Sequence, residues 1–119
     1  MIRKKKILYV DDEKINVQLF QINFSNSFEV LISCSGMDGL LLLDKNLDTE
    51  VVISDMKMPE MNGLEFIGKA KGKYPNKRYY ILTGFDITGE IQHALDNKLI
   101  LKCLKKPFNL QEIERILNE

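Results

Sequence analysis

The sequence KILYVDDE (Lys6–Glu13) joins an apolar run directly to three acids. Its apolar part, Ile7–Val10, has the length and composition of a strand that is buried on both faces of a parallel sheet. The strand would end in Asp11, Asp12 and Glu13, so several carboxylates leave the sheet at one point. A single acid after a strand often does no more than cap the next helix. The rest of the chain decides whether these acids are a helix cap or part of a functional site.

Apolar segments of this kind alternate five times with segments of helical period. They are rich in Ile, Val, Tyr and Phe, which pleated surfaces favour. The predicted strands are Lys6–Val10, Phe28–Ser33, Glu50–Ser54, Arg78–Leu82 and Leu99–Leu104. The alternation predicts an α/β fold. Because five βα units cannot close an eight-stranded barrel, we expect one domain over residues 1–119, with an open parallel sheet of order 2-1-3-4-5 and helices on both faces.

Residues at helical spacing predict the faces and starts of several helices. The shared faces comprise Ile15, Leu19 and Ile22 in the first helix, Leu64, Ile67 and the long side chain of Lys71 in the third, and Leu110, Ile113, Ile116 and Leu117 in the last. The last set is expected to face inward. A capping oxygen stands three residues before a carboxylate at Ser35, Asn62 and Asn109, which is typical of a helix start.

The composition is that of an ordinary globular domain without a strong net charge. Of 119 residues, 17 are basic and 17 acidic, so we expect neither nucleic acid nor a membrane as a direct partner. The apolar runs are too short for a membrane span or a secretory signal, which predicts a cytoplasmic protein. Cys34 and Cys103 have no CxxC or histidine partner and are expected in or near the core.

Acidic side chains follow two strands that are neighbours in the predicted sheet. Asp11 and Asp12 follow the first strand, and Asp55 follows the third. Ligands of such sheets bind beyond the carboxyl ends of the strands, near the point between strands 1 and 3 where the order reverses. Carboxylates that are packed together repel each other, and a hard cation relieves that repulsion. The sequence therefore predicts a site for Mg²⁺, which takes one or two carboxylates together with water and phosphate oxygens.

A hydroxyl and an ammonium group reach the same edge of the sheet. Thr83 follows the fourth strand and Lys106 follows the fifth. Phosphoryl transfer depends on positioning and on neutralising charge at the phosphoryl oxygens, so a cation, a lysine and a hydroxyl beside an aspartate predict an aspartyl-phosphate site. We also predict a cis peptide bond between Lys106 and Pro107, since the lysine must turn back over the strand ends toward Asp55.

These motifs, taken in order, resemble the response-regulator receiver family over essentially the full length of the chain. They are the pair Asp11-Asp12, the stretch Asp55-Met56-Lys57-Met58-Pro59-x-Met61-Asn62-Gly63, the pair Thr83-Gly84 and the run Lys106-Pro107-Phe108. The resemblance implies a flavodoxin-like fold of five βα units. It also implies a phosphorylation-activated switch of a two-component phosphorelay, which assists its own phosphorylation and dephosphorylation but is not otherwise an enzyme.

The resemblance further implies a role for each residue of the site. Asp55 accepts the phosphoryl group, and Thr83 and Lys106 hold the phosphoryl oxygens. The implied Mg²⁺ ligands are Asp12 and Asp55 directly, the backbone carbonyl of Lys57 and, through water, Asp11. Pro59 and Gly63 shape the loop that follows the acceptor.

Two kinds of protein partner are implied as well. A sensor histidine kinase or a phosphotransfer protein would donate the phosphoryl group, and a downstream target protein, an output domain or a phosphorylation-dependent second copy would receive the signal. The signalling surface would comprise helix 4, strand 5 and helix 5, with Lys98, Lys102 and Arg115 exposed. Many receivers carry an aromatic residue three positions before the lysine of the site. This chain has Cys103 there, so no ring can gate that surface.

The resemblance places Lys57 and Phe85 beside the path of the water that would hydrolyse the phosphoryl group. Phe85 offers bulk without a hydrogen-bonding group, and Lys57 is a cation that cannot accept a hydrogen bond from water. Hydrolysis needs water in line with the bond between phosphorus and the aspartyl oxygen. Both residues therefore predict a comparatively long-lived phosphoryl group on Asp55.

Three other interpretations compete with this one. A phosphohydrolase of the haloacid-dehalogenase type would carry Asp-x-Asp after the first strand, whereas Asp11 and Asp12 are adjacent. A flavodoxin-like electron carrier would need a hydroxyl-rich phosphate loop there, and the acids would repel that phosphate. A degenerate receiver would act as a phosphorylation-independent binding module, and the presence of Asp55, Thr83 and Lys106 argues against it.

Overall fold

A computed structural model describes residues 3–84 and 86–119 of the chain. Five parallel strands form one sheet in the order β2-β1-β3-β4-β5, which confirms the predicted α/β class and strand order. The strands are β1 (Lys6–Val10), β2 (Glu29–Ser33), β3 (Val51–Asp55), β4 (Arg78–Thr83) and β5 (Lys102–Lys105). Phe85, one of the two residues that the sequence places beside the hydrolytic water, lies outside the described residues.

Helices cover both faces of this sheet. They are α1 (Lys14–Phe24), α2 (Gly36–Lys45), α3 (Gly63–Lys73), α4 (Gly89–Asp96) and α5 (Leu110–Leu117). One apolar cluster joins α1 and α5 to one face, and a second cluster joins α2, α3 and α4 to the other. Burial of both faces explains why the strands read as nearly continuous apolar runs. Within the described ranges, no helix has the length and apolarity that crossing a membrane requires.

The strand boundaries differ most from the prediction at β5, while the other strands agree within one residue at each end. The sequence predicts that Leu99 begins this strand, but the backbone N–H groups of Leu99 and Ile100 donate to the carbonyl of Ala94 in α4. Lys98, with a φ of 60°, turns the chain out of that helix. These residues therefore end α4, and β5 begins only at Lys102.

The face of α1 that holds Ile15, Leu19 and Ile22 does not pack inward, because these residues are 62%, 46% and 70% exposed. The buried residues of this helix are Val17, Phe20 and Phe24. Both sets have helical spacing, so periodicity alone could not choose between them. The set that contains Phe20 and Phe24 packs inward because aromatic rings bury more apolar area. Phe20 stacks on Tyr9 of β1 with 4.3 Å between the ring centroids.

The remaining predictions for helix residues and cysteines hold except at two positions. Each predicted cap, at Ser35, Asn62 and Asn109, accepts a hydrogen bond from the backbone N–H three residues further on. The inward residues of α5 are Ile113, Ile116 and Leu117, but Leu110 at its first position is exposed. Cys103 is half-buried, whereas Cys34 is exposed because it lies in the loop that follows the edge strand β2.

Candidate functional site

Three aspartates meet beyond the carboxyl ends of β1 and β3. Val10 pairs with Ser54 in the parallel register, so Asp11 and Asp55 stand side by side at the edge of the sheet. One carboxylate oxygen of each of Asp11, Asp12 and Asp55 lies within 4.8 Å of the others. Asp11 is fully buried and Asp55 nearly so, while Asp12 is exposed. The structure thus brings together the carboxylates that the sequence assigns to a cation.

Asp11 is held by four hydrogen bonds. Its Oδ2 atom accepts from the Tyr9 hydroxyl at 2.7 Å, from Lys106 Nζ at 3.0 Å and from Asn16 Nδ2 at 3.2 Å. Its Oδ1 atom accepts from the backbone N–H of Glu13 at 3.0 Å. A buried carboxylate must be paired in this way, because an ionised group without partners is costly to desolvate. The contacts fix the orientation of the Asp11 side chain.

Sequence reasoning missed Tyr9 and Asn16 as residues that contact the site. The signal for Tyr9 was present, since residues two apart on a strand point to the same side of the sheet and Tyr9 stands two before Asp11. Asn16 lies in the first turn of α1, where it reaches back toward the strand that precedes the helix. The sequence places Tyr9 in the first strand, and no sequence motif marks Asn16.

Asp55 is the last residue of β3, whereas the sequence predicts that the strand ends one residue before it. Its Oδ1 atom accepts a hydrogen bond from the backbone N–H of Met56 at 2.9 Å and lies 3.3 Å from Lys106 Nζ. Burial and then the charge of Asp11 raise the pKa of Asp55, and Lys106 opposes that rise without cancelling it. One ammonium therefore does not balance the carboxylates, and this donor set suits an added hard cation such as Mg²⁺.

Lys106 turns back over the strand ends toward both buried aspartates. Its backbone N–H donates to the carbonyl of Thr83 at 2.8 Å, and the Lys106–Pro107 peptide bond is cis, as predicted. Burial alone would lower the pKa of Lys106, but its hydrogen bond to Asp11 and the charges of Asp11 and Asp55 outweigh it and raise the pKa. The side chain is therefore a cation at neutral pH, placed between the two acids.

Thr83 is the buried last residue of β4, which is the neighbour of β3 in the sheet. It lines a cleft of about 300 Å³ that also borders Met56, Lys57, Asp86 and Ile91. The cleft opens between the loop that follows β3 and the loop that follows β4. Thr83 therefore lies at the same edge of the sheet as Asp55, on the neighbouring strand.

Gly63 fixes the shape of the loop that follows Asp55. A Cβ atom at this position would lie 2.2 Å from the backbone oxygen of Asp55 and 2.8 Å from Ile81 Cδ1. The backbone N–H of Gly63 also donates to the carbonyl of Met56 at 2.8 Å. Only glycine allows the start of α3 to approach the end of β3 this closely, which agrees with the shaping role that the resemblance implies.

The predicted signalling surface has Cys103 where many receivers carry an aromatic residue. Lys98, Lys102 and Arg115 are exposed, as predicted. Cys103 is half-buried on β5 against the cluster that holds α4, and burial raises the pKa of its thiol. Next to the site lysine, Lys105 forms an exposed ion pair of 3.1 Å with Asp86 in the loop after β4.

Comparison with known families matches residues 7–118 to the response regulator receiver domain. Two relatives span nearly the whole chain. Sporulation initiation phosphotransferase F of Bacillus subtilis is 30% identical, over 92% of this chain and 87% of that protein. A chemotaxis protein CheY homolog of Campylobacter jejuni is 31% identical, over 96% of this chain and 90% of that protein.

Solved structures give the same result. The chemotaxis protein CheY4 of Vibrio cholerae superposes with a TM-score of 0.88 at 26% identity and covers 98% of both chains. The signal receiver domain of an HD domain-containing protein from Pseudomonas fluorescens gives 0.87 at 26% identity, over 98% of this chain and 93% of that one. The protein therefore belongs to the response-regulator receiver domain family, whose members are signalling domains of two-component systems and not ordinary enzymes.

Proposed function

We propose that this protein is a phosphorylation-activated switch in which Asp55 accepts a phosphoryl group with the help of Mg²⁺. The observation that carries the proposal is the placement of the Asp55 carboxylate 3.3 Å from Lys106 Nζ and among the oxygens of Asp11 and Asp12. Nucleophile, ammonium and cation ligands are the parts that transfer to an aspartate requires. We infer that residues 1–119 form one receiver domain, that it works in the cytoplasm, and that it assists its own phosphorylation and dephosphorylation.

The reaction forms a bond between an Asp55 carboxylate oxygen and phosphorus. It breaks the bond from phosphorus to the donor, a histidine nitrogen of a sensor kinase or phosphotransfer protein, which leaves with the electron pair. Lys106 pairs with a phosphoryl oxygen, and the Thr83 hydroxyl donates to another. Asp12, Asp55 and the Lys57 carbonyl would hold Mg²⁺ directly and Asp11 would hold it through water, and the ion would supply positive charge to the phosphoryl oxygens.

The phosphoryl donor must reach Asp55, so its docking surface must adjoin the site. Beside Lys106 lies a mostly apolar cavity of about 430 Å³, which Tyr9, Leu19 and Phe108 also line. It continues into the exposed face of α1, where Ile15 and Leu19 are 62% and 46% exposed. Continuity with the phosphorylation site favours the donor protein as the partner for this surface.

The signal would leave through α4, β5 and α5 to a target protein, an output domain or a second copy of the chain. Lys98, Lys102 and Arg115 offer exposed positive charge on that surface. Because Cys103 stands in place of a ring, the signal would leave Asp55 through the loop after β4 and through Lys106. A hydrogen bond from the backbone N–H of Lys106 to the carbonyl of Thr83 joins these two segments.

Incubation with Mg²⁺ and acetyl phosphate tests the proposal. We expect the protein to gain one phosphate, which mild base removes, and the gain to stop when Mg²⁺ is chelated. A protein that stays unmodified under these conditions, and also in the presence of phosphorylated histidine phosphotransfer proteins, would instead be a phosphorylation-independent binding module.

A further inference from the structure

Tyr9 connects the site to the apolar core in a way that no other described tyrosine does. It is 1% exposed, and its hydroxyl donates to Asp11 Oδ2 at 2.7 Å. Its ring lies nearly parallel to that of Phe20, with 4.3 Å between centroids and 13° between planes. Phe20 in turn contacts Phe108, which follows Lys106-Pro107, with 5.8 Å between centroids. The hydroxyl is therefore a hydrogen-bond donor held in place by a packed ring.

Another buried tyrosine shows that such a hydroxyl does not have to serve the site. Tyr79 is also 1% exposed, and its hydroxyl donates at 2.7 Å to the backbone carbonyl of Tyr74. It lies on the opposite face of the sheet, in the cluster with α3 and α4. The two residues are equally exposed and their hydroxyls donate over the same distance, but only the hydroxyl of Tyr9 reaches a carboxylate of the site.

The three donors to Asp11 Oδ2 are not equivalent in the proposed reaction. Lys106 must also serve a phosphoryl oxygen, so it cannot hold Asp11 throughout. Asn16 makes the longest of the three contacts, at 3.2 Å, from a half-buried position. Tyr9 has no second task and donates over the shortest distance. The Oδ2 atom of Asp11 therefore depends chiefly on Tyr9 when Lys106 turns to the phosphoryl group, while the backbone N–H of Glu13 continues to hold Oδ1.

We propose that Tyr9 is a positioning residue whose hydroxyl holds Asp11 in the orientation that receives the water shell of Mg²⁺. The inference rests on the proposed function, because it assigns Asp11 a task toward the cation. A carboxylate that is already oriented loses less freedom when the cation binds. Losing a partner that orients a ligand typically weakens metal binding about 10- to 100-fold. Because Asp11 acts through water, we expect a smaller loss here, about three- to tenfold.

The test is a Mg²⁺ titration of wild type, Tyr9→Phe and Tyr79→Phe. The backbone amide resonances of the full chain report Mg²⁺ binding. Both variants keep the ring and lose one buried hydroxyl, so their melting temperatures should fall by similar amounts. We expect the Mg²⁺ dissociation constant to rise about three- to tenfold in Tyr9→Phe and to stay within twofold in Tyr79→Phe. With saturating Mg²⁺, phosphorylation of Tyr9→Phe by acetyl phosphate should return close to the wild-type rate.

A measurement on the wild type alone keeps the inference testable if a variant does not fold. The ring carbon that bears the Tyr9 hydroxyl should shift in resonance when Mg²⁺ is added, while that of Tyr79 should not. An unchanged Mg²⁺ affinity in Tyr9→Phe, or an equal loss in Tyr79→Phe, would overturn the inference and leave the proposed function intact. If wild type bound no Mg²⁺ at all, both would fail together.

Discussion

The two ends of the sheet carry charge in opposite ways. At the amino ends of the strands, Lys5 Nζ donates to the carbonyl of Leu117 at 2.6 Å and Arg78 donates to the carbonyl of Ile116 at 2.9 Å. These cations bond to the last carbonyls of α5, where the negative end of the helix dipole favours them. At the carboxyl ends, three carboxylates gather around one lysine. At the amino ends the cations stabilise the end of α5. At the carboxyl ends the carboxylates repel each other, and a bound cation would relieve that repulsion.

Two aspartates show the difference directly. The hydrogen bond from Lys6, at 2.9 Å, lowers the pKa of Asp48 near the amino ends of the strands. Burial and the charge of Asp11 raise the pKa of Asp55 at the carboxyl ends. The fold therefore favours the ionised form of Asp48 and disfavours that of Asp55. If the carboxyl end serves the proposed chemistry and the amino end serves the fold, substitutions at the two ends should affect function and stability separately.

Asp55→Asn should separate function from stability most strongly. It removes the nucleophile, so no base-labile phosphate should be incorporated. It also relieves the repulsion with Asp11, so the free energy of unfolding at pH 7 without Mg²⁺ should equal or exceed that of wild type. Phosphate incorporation and urea unfolding, measured on one preparation, check both results. Incorporation at the wild-type rate would move the acceptor to another residue, and a marked loss of stability would show that Asp55 supports the fold.

Asp12→Ala should leave stability nearly unchanged and weaken Mg²⁺ binding at least about tenfold. Asp12 is exposed, so the fold loses little, but the cation loses a direct ligand. Calorimetric titration with Mg²⁺ measures the affinity. Glu13→Ala, an exposed acid at the next position, is the matched control and should bind Mg²⁺ as wild type does. Equal effects of the two substitutions would mean that only general negative charge matters at this end.

Phe85→Ala and Lys57→Asn should each speed the loss of the phosphoryl group from Asp55 several-fold. The resemblance places both residues beside the path of the attacking water, so loss of the Phe85 ring would open that path and the amide introduced by Lys57→Asn would offer the water a hydrogen-bond acceptor. Phosphoprotein freed of its donor, followed over time in Mg²⁺, gives the rates. Unchanged or slower loss in both variants would show that neither side chain controls the water.

Arg78→Met should give the opposite result to Asp55→Asn. The variant keeps an unbranched apolar stem but loses the hydrogen bonds to the end of α5, at a cost of about 1–2 kcal/mol of unfolding free energy. Its rate of phosphorylation by acetyl phosphate should stay within twofold of wild type. Lys102→Met on β5, an exposed position, serves as the control and should keep its stability. A large fall in the rate for Arg78→Met would couple the two ends of the sheet.

The smallest expected effect concerns acid stability at Asp48. Because its pKa is lowered in the fold, its contribution is complete above the unfolded value of 3.8 and is lost as pH falls through the lower folded value. The melting temperature of Asp48→Asn should therefore approach that of wild type between about pH 5 and about pH 3. The exposed Glu114→Gln is the control. A constant difference across this range would mean that Lys6 does not favour the ionised form of Asp48.

The sequence predicted the architecture well because its strands are apolar runs that are bounded by polar or turn residues. Strand order, the three caps and the meeting of Asp11, Asp12 and Asp55 all follow from that pattern. The face of α1 could not be predicted, since Ile15, Leu19 and Ile22 have the same spacing as the aromatic set that packs inward. The hydrogen bonds to Asp11 could not be predicted either, because tertiary contacts decide which polar group a buried side chain meets.

Locating the phosphorylated residue tests the central claim most directly. The protein would be phosphorylated with acetyl phosphate and Mg²⁺, reduced with borohydride, which converts an aspartyl phosphate to homoserine, and mapped by peptide mass spectrometry. The account predicts homoserine at position 55 and nowhere else. Homoserine at position 11 or 12, or a fully unmodified protein under conditions that phosphorylate a known receiver, would contradict it.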